Sequence, residues 1–203
     1  MQITRIEEVD KKRRTVFIDG VEAFTLYKNE VYKYKLEQDA FVKQEIFIEI
    51  LEVLNKRAKL KVMEYLTQSD KPEADLRSKL KRARYPDSCI EVAIDYVKSY
   101  GYINDLRYTE NYIRTKKVLK SKQAIQFELK KKGIDAAIIK EAMDSEYSVD
   151  TEMDAIKKQI AKKCRDTSNL DRDKLNKLVA SLCRKGFSYD KIKQCLSINQ
   201  EYE

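Results

Sequence analysis

The sequence predicts an all-α chain of three tandem three-helix repeats in an elongated, curved array, preceded by a small N-terminal β-hairpin arm. Three observations predict it. The first is composition: 203 residues contain only four glycines and two prolines, while 37% are Asp, Glu, Lys or Arg, a content dominated by strong helix formers with charged faces. The second is a template that repeats by position. Ile125, Leu129, Ile134, Ile139, Ala142 and Met143 mark two short amphipathic helices. The same offsets, without a gap, fall on Leu76, Leu80, Tyr85, Ile90, Ala93 and Ile94, and again on Leu178, Leu182, Phe187, Ile192, Cys195 and Leu196. The anchor leucines 80, 129 and 182 lie 49 and 53 residues apart, a period near those of helical repeats. The third is punctuation. Gly101, Gly133 and Gly186 each follow the last periodic residue of a helix, where a left-handed residue ends it, and Gly20 sits in an Asp-Gly hairpin signal.

In chain order, Ile3 to Val9 and Thr15 to Ile18 read as strands, with Asp19-Gly20 turning the chain between FI and VEAF into a hairpin or three-stranded sheet. VYKYKL at 31–36 reads equally as a further strand or as the start of a helix. Its Tyr32 and Tyr34, interleaved with lysines, fit base stacking and, more commonly, half-buried strand positions. A helical pattern then runs from Ala40 to Leu66. These residues form an arm and linking helix over 1–56, and the repeats follow over 57–104, 105–149 and 150–203.

Repeat one has helical stretches at Arg57 to Thr67, Pro72 to Ala83 and Ser88 to Tyr100, with Asp70/Glu73 and Ser88/Glu91 spaced as capping boxes. Asn104 or Asp105 caps the next helix, Leu106 to Val118. Ser121 then caps the stretch carrying Ile125, Leu129 and an ambiguous Phe127. Lys130, Lys131 and Lys132 fill its last turn, where cations suit the dipole, Gly133 stops it, and Asp135 caps its successor. In repeat three a polar insert, RDTSNLDRD, accounts for the longer second period, and Ser188 caps the last helix.

Function is narrowed mostly by what is missing. There is no histidine, no glycine-rich phosphate loop and no Cys-x-x-Cys pair, so neither an enzyme, a metal site nor a cofactor is expected. Cys89, Cys164, Cys183 and Cys195 are scattered, and Cys183 and Cys195 fall at or beside apolar positions, as small buried hydrophobes would. Asp105 near Tyr108 reads as a cap beside a core tyrosine. No apolar run is long enough to span a membrane and the N-terminus lacks a signal-peptide core, so a cytoplasmic protein is expected.

The net charge of +8 is uneven. Residues 1–56 hold 10 basic and 11 acidic side chains, while segments 57–106, 107–150 and 151–203 hold 10 and 8, 10 and 7, and 12 and 8. The excess sits on the repeats, as a partner that is a polyanion or an acidic protein surface would require. Basic groups recur beside each joint: Arg77, Lys81, Arg82 and Arg84, then Lys130, Lys131 and Lys132, then Arg184 and Lys185. These are the candidate contact residues.

GYINDLRYTENYI at 101–113, KKKGIDAAII at 130–139 and LCRKGFSYDKI at 182–192 stand in the order found in the RecX family, bacterial regulators of the RecA recombinase, and the resemblance covers about 57–197. The motif residues are Gly101, Asp105, Tyr108, Leu129, Gly133 and Gly186. Departures are Asn104 for an acidic residue, Thr109 for a small one, and Arg84-Tyr85 where a glycine often marks the joint. The resemblance implies a non-catalytic monomer that lies along the RecA–DNA filament and mostly inhibits ATPase and strand exchange, in DNA repair, recombination and the SOS response. It would touch single- or double-stranded DNA weakly and without sequence preference. The rival is a helix-turn-helix-like DNA-binding protein acting without RecA.

Overall fold

The computed structural model describes residues 1–164 and 171–201. Three antiparallel strands open the chain, β1 (Ile3–Glu8), β2 (Arg13–Ile18) and β3 (Val21–Tyr27), in the order β1-β2-β3. Asp19 and Gly20 both have positive φ, 49° and 84°, the two-residue turn whose twist suits a hairpin. The N-terminal arm is therefore a hairpin extended by a third strand. VYKYKL is not a strand: α1 (Lys28–Lys33) takes its first three residues, since β3 already closes the sheet edge at Tyr27 and Glu30 reaches back to accept the Tyr27 N–H at 3.0 Å.

Nine further helices follow among the described residues: α2 (Gln44–Gln68), α3 (Glu73–Arg82), α4 (Asp87–Ser99), α5 (Asp105–Lys116), α6 (Lys122–Lys131), α7 (Ala136–Glu146), α8 (Val149–Lys163), α9 (Arg172–Arg184) and α10 (Tyr189–Glu201). The stretch expected at Arg57 to Thr67 is the second half of α2, which crosses residues 56 and 57 unbroken. Ile50, Leu54, Ala58 and Val62 form one buried stripe along it at a spacing of four. Residues 165–170 of the polar insert lie outside the described residues.

Two expected caps are corrected. The N-cap of α3 is Pro72 and that of α4 is Pro86, neither with a side-chain cap. Asp70 lies two residues before the N-cap of α3, and Ser88 lies inside α4 rather than before it. Acidic first-turn residues, Glu73 and Asp75 in α3 and Asp87 in α4, meet the helix dipole instead. Asn104, Ser121 and Asp135 do cap, accepting from the N–H groups of Arg107, Ala124 and Ala137 at 2.9, 3.2 and 2.8 Å. Ser188 accepts from the Lys191 N–H at 3.4 Å.

The chain divides into two compact units, Met1–Ile103 and Asn104–Glu203. In the first, the sheet and helices α2 to α4 share one core, from Ile3, Val16 and Phe24 to Leu76, Leu80 and Ile94. The rings of Phe24 and Phe47 meet there at 5.9 Å. The second unit has two separate cores, one around Ile113, Leu129 and Met143, the other around Ile156, Leu182 and Ile192. Sixteen of the eighteen template positions are buried, and Tyr85 and Leu196 are half-buried. Phe127 is not part of the apolar stripe: it is 61% exposed, with the Lys131 ammonium 5.4 Å over its ring. Cys183 is likewise exposed, since the helix turns it about 100° from the buried Leu182 and off the apolar stripe, whereas Cys89 and Cys195 are buried. None of the helices described is long and apolar enough to cross a membrane.

Candidate interaction surface

The three joints are built alike, down to individual hydrogen bonds. The carbonyl of each anchor leucine accepts the N–H five residues on: Tyr85 to Leu80 at 3.2 Å, Ile134 to Leu129 at 3.2 Å, Phe187 to Leu182 at 3.3 Å. Inside each of these, a tighter bond runs from Arg84 to Lys81, Gly133 to Lys130 and Gly186 to Cys183, at 2.9, 2.9 and 2.8 Å. This is the Schellman arrangement, in which the residue that donates the inner bond is left-handed. Gly133 and Gly186 have φ of 78° and 84°, and Arg84 takes the same place at 63°. Arginine there carries a steric cost of roughly 1–2 kcal/mol, because Cβ crowds the following carbonyl. Gly101 ends α4 the same way, with Tyr102 donating to Val97 at 2.9 Å.

The basic residues expected around these joints fall into two groups. Some are occupied within the protein. Arg77 donates to Glu73 at 2.7 Å and to Glu91 at 2.5 and 2.9 Å, bridging α3 and α4, and Glu91 in particular holds its guanidinium strongly protonated. Arg84 lies 3.4 Å from Glu22 on β3. Lys132 sits over Tyr108 and Tyr112, at 6.0 and 5.5 Å, and fastens the end of α6 to α5.

Lys185 hydrogen-bonds Gln159, and burial, with Lys163 and Lys162 nearby, lowers its pKa. The others face solvent: Lys81, 3.5 Å from Asp87 in an exposed pair, Arg82 against Ser78 at 2.9 Å, and Lys130, Lys131 and Arg184 with no salt bridge among the described residues. Each cluster belongs to its own joint.

Lys185 belongs to a polar junction between the second and third repeats that sequence reasoning missed. The fully buried Ser121 donates its N–H to the Lys185 carbonyl at 3.3 Å, and Gln159, also buried, donates to the Val118 carbonyl at 3.3 Å. A Cβ on Gly186 would stand 2.5 Å from Ser121 Oγ and 3.1 Å from the Ala124 methyl. Gly186 is thus required twice over, by its φ and by this close approach. The only sequence signal was a lone glutamine on the apolar side of α8. Thr109, one of the departures from the family pattern, is buried and bonds back to the Asp105 carbonyl at 2.6 Å, so the extra hydroxyl is satisfied within α5. Asp105 opens α5, and Tyr108 stacks on Tyr112 at 6.2 Å against the core.

Comparison with known proteins matches residues 104–143 to the second three-helix domain of RecX and residues 150–196 to the third. The chain is similar to the regulatory protein RecX of Clostridium acetobutylicum, 30% identical with 96% of this chain and 94% of that one covered. It resembles that of Clostridium beijerinckii at 31%, covering 94% and 91%. Among solved structures, a regulatory protein RecX superposes with a TM-score of 0.62 at 25% identity, over 95% of this chain and 98% of that one. RecX from Lactobacillus salivarius gives 0.63 at 26%, over 73% and 98%.

Proposed function

The chain belongs to the RecX family, and from that premise we propose that it is a non-catalytic, cytoplasmic regulator of the RecA recombinase that binds along the RecA–DNA filament as a monomer and mostly inhibits its ATPase and strand exchange. The observation that carries the reading is the likeness to RecX regulatory proteins over nearly the whole chain, sheet included. Three equivalent joints at a regular period, each with basic groups beside it, support it, because a repeating partner is matched by a repeating surface. We assign the contact role to the solvent-facing Lys81, Arg82, Lys130, Lys131 and Arg184. Arg77, Arg84, Lys132 and Lys185 hold the joints together. The division into an N-terminal arm over 1–56 and repeats over 57–104, 105–149 and 150–203 is kept as a functional division, one repeat to one contact.

The test is the single-stranded-DNA-dependent ATPase of RecA titrated with this protein, with its binding to free DNA measured in parallel. Inhibition at sub-stoichiometric ratios, well below the concentration that coats the DNA, is expected. A fall in ATPase only as the DNA saturates would replace the proposal with simple competition for phosphates. Within it, Lys130→Glu with Lys131→Glu should weaken inhibition with helicity unchanged, since neither side chain has an acidic partner among the described residues.

A further inference from the structure

The first 56 residues carry no excess of positive charge, yet the fold gathers cations from across the first unit onto one face. Two recesses adjoin there, of about 590 and 470 Å³, sharing Lys11, Lys12 and Tyr27 as their common wall. Lys61 of α2 and Tyr85 of the α3–α4 joint complete the first, and Lys28 and Tyr32 of α1 complete the second.

The acid on this face is already engaged. Asp10, the carboxylate in these walls, accepts the Lys12 N–H, the Arg13 N–H and Arg13 Nε, each at 2.8 Å, and the Arg13 bond foremost holds its pKa low. That spends Asp10 on shaping the β1–β2 turn. Lys11, Lys12 and Lys28 have no salt bridge among the described residues. Beside them Tyr32 is 70% exposed, with the Lys28 ammonium 6.0 Å over its ring, and Tyr27 is 46% exposed, with the Arg57 guanidinium 4.9 Å over its ring, so each pairs an accessible aromatic with a cation. Tyr34, its neighbour in the sequence pattern, is excluded: it is half-buried and its hydroxyl donates to Glu49 at 3.2 Å.

We propose that this trough binds a short stretch of single-stranded nucleic acid, with Lys11, Lys12 and Lys28 on successive phosphates and bases stacked on Tyr32 and Tyr27. Unpaired cations beside exposed aromatic faces, in a concave track, are the elements by which proteins hold single strands without reading sequence. An acidic peptide would use the lysines but leave both rings idle, and a duplex presents no base faces to them. Its lining shares no side chain with those assigned to filament contact, and the proposal does not rest on that assignment.

Anisotropy of fluorescein-labelled dT20 with the full-length protein, without recombinase and at several salt concentrations, tests it. Lys11→Glu with Lys12→Glu should weaken binding roughly tenfold or more and reduce the salt slope by about 1.4, two contacts at roughly 0.7 each for single strands. Tyr32→Ala should weaken it about fivefold or more with the slope unchanged. Lys174→Glu with Lys177→Glu, an equal change of charge on the exposed side of α9, should do less than either. All these side chains are exposed, and circular dichroism verifies the fold. The proposal fails if the wild type does not bind dT20, if the control pair weakens binding as much as the trough pair, or if Tyr32→Ala is silent. It also fails if polyglutamate displaces dT20 as well as unlabelled dT20 does, which would make the occupant an acidic protein segment.

Discussion

The two units bury their apolar residues in different ways. In Met1–Ile103 a sheet and a three-helix repeat share a single core, tied further by Arg57 of α2, which grips Glu30 of α1 and lies 4.9 Å over the Tyr27 ring. In Asn104–Glu203 two repeats keep separate cores and meet through Ser121, Gln159, Lys185 and Gly186. A three-helix repeat of about 45 residues is at the size where one core is barely sufficient. One repeat gains its extra burial from strands. The other two gain it from a partner repeat, through hydrogen bonds whose geometry, unlike apolar packing, tolerates little shift.

The largest expected effect breaks or upholds that contrast directly. Leu80→Ala and Leu182→Ala each remove a fully buried anchor, at roughly 2–5 kcal/mol. Leu80→Ala should lower hydrogen-exchange protection throughout the first unit, strands included. Leu182→Ala should strip protection from α8 to α10 while α5 to α7 keep theirs, and simultaneous loss in α5 to α7 would mean that the second unit folds as one piece.

Next in size, Gly186→Ala should cost about 2–3 kcal/mol in urea unfolding, because the left-handed penalty of roughly 1–2 kcal/mol is joined by displacement of Ser121. Gly101→Ala, where a Cβ meets open space, should cost about 1–2 kcal/mol, the conformational penalty alone. Equal costs would show that the junction gives way freely. Smaller and opposite in sign, Arg84→Gly should stabilise the first unit by up to about 1 kcal/mol, the relief of its positive φ less an exposed Glu22 pair that is worth at most about that much. A lower urea midpoint instead would make the Glu22 pair the stronger influence.

The smallest effect concerns pH. Burial alone would raise the Glu30 carboxyl, but hydrogen bonds from Arg57 and the Tyr27 N–H and the Arg57 charge outweigh it, so its pKa is lowered. A carboxylate with a folded pKa below its unfolded one contributes stability that is full above the unfolded value, near 4.5, and lost as pH falls through the folded one. Glu30→Gln should therefore lower stability at pH 7 and flatten the acid limb of the first unit's stability curve below pH 4.5. An unchanged acid limb would place the linkage in Glu73, whose pKa is lowered by Lys98 and Arg77 against its own burial.

What the sequence determined by itself is local or periodic. The anchor leucines, the glycine stops, the Asp-Gly hairpin and the caps at Asn104, Ser121 and Asp135 were legible, because each depends on a few neighbouring residues and on the 3.6-residue period. The family could be recognised from three short motifs for the same reason. What only the tertiary structure decided are the pairings between distant residues. It joined the sheet and α2 to α4 in one core, from Ile3 and Phe24 to Leu80 and Ile94. It turned Arg77 and Lys185 from surface charges into internal partners, through Glu91 and Gln159, which no local spacing joins to them. It also drew Lys11, Lys12 and Lys28 to one face, in a segment whose summed charge conceals them. Charge and hydrogen bonding act through space, and space is assigned only when the chain has packed.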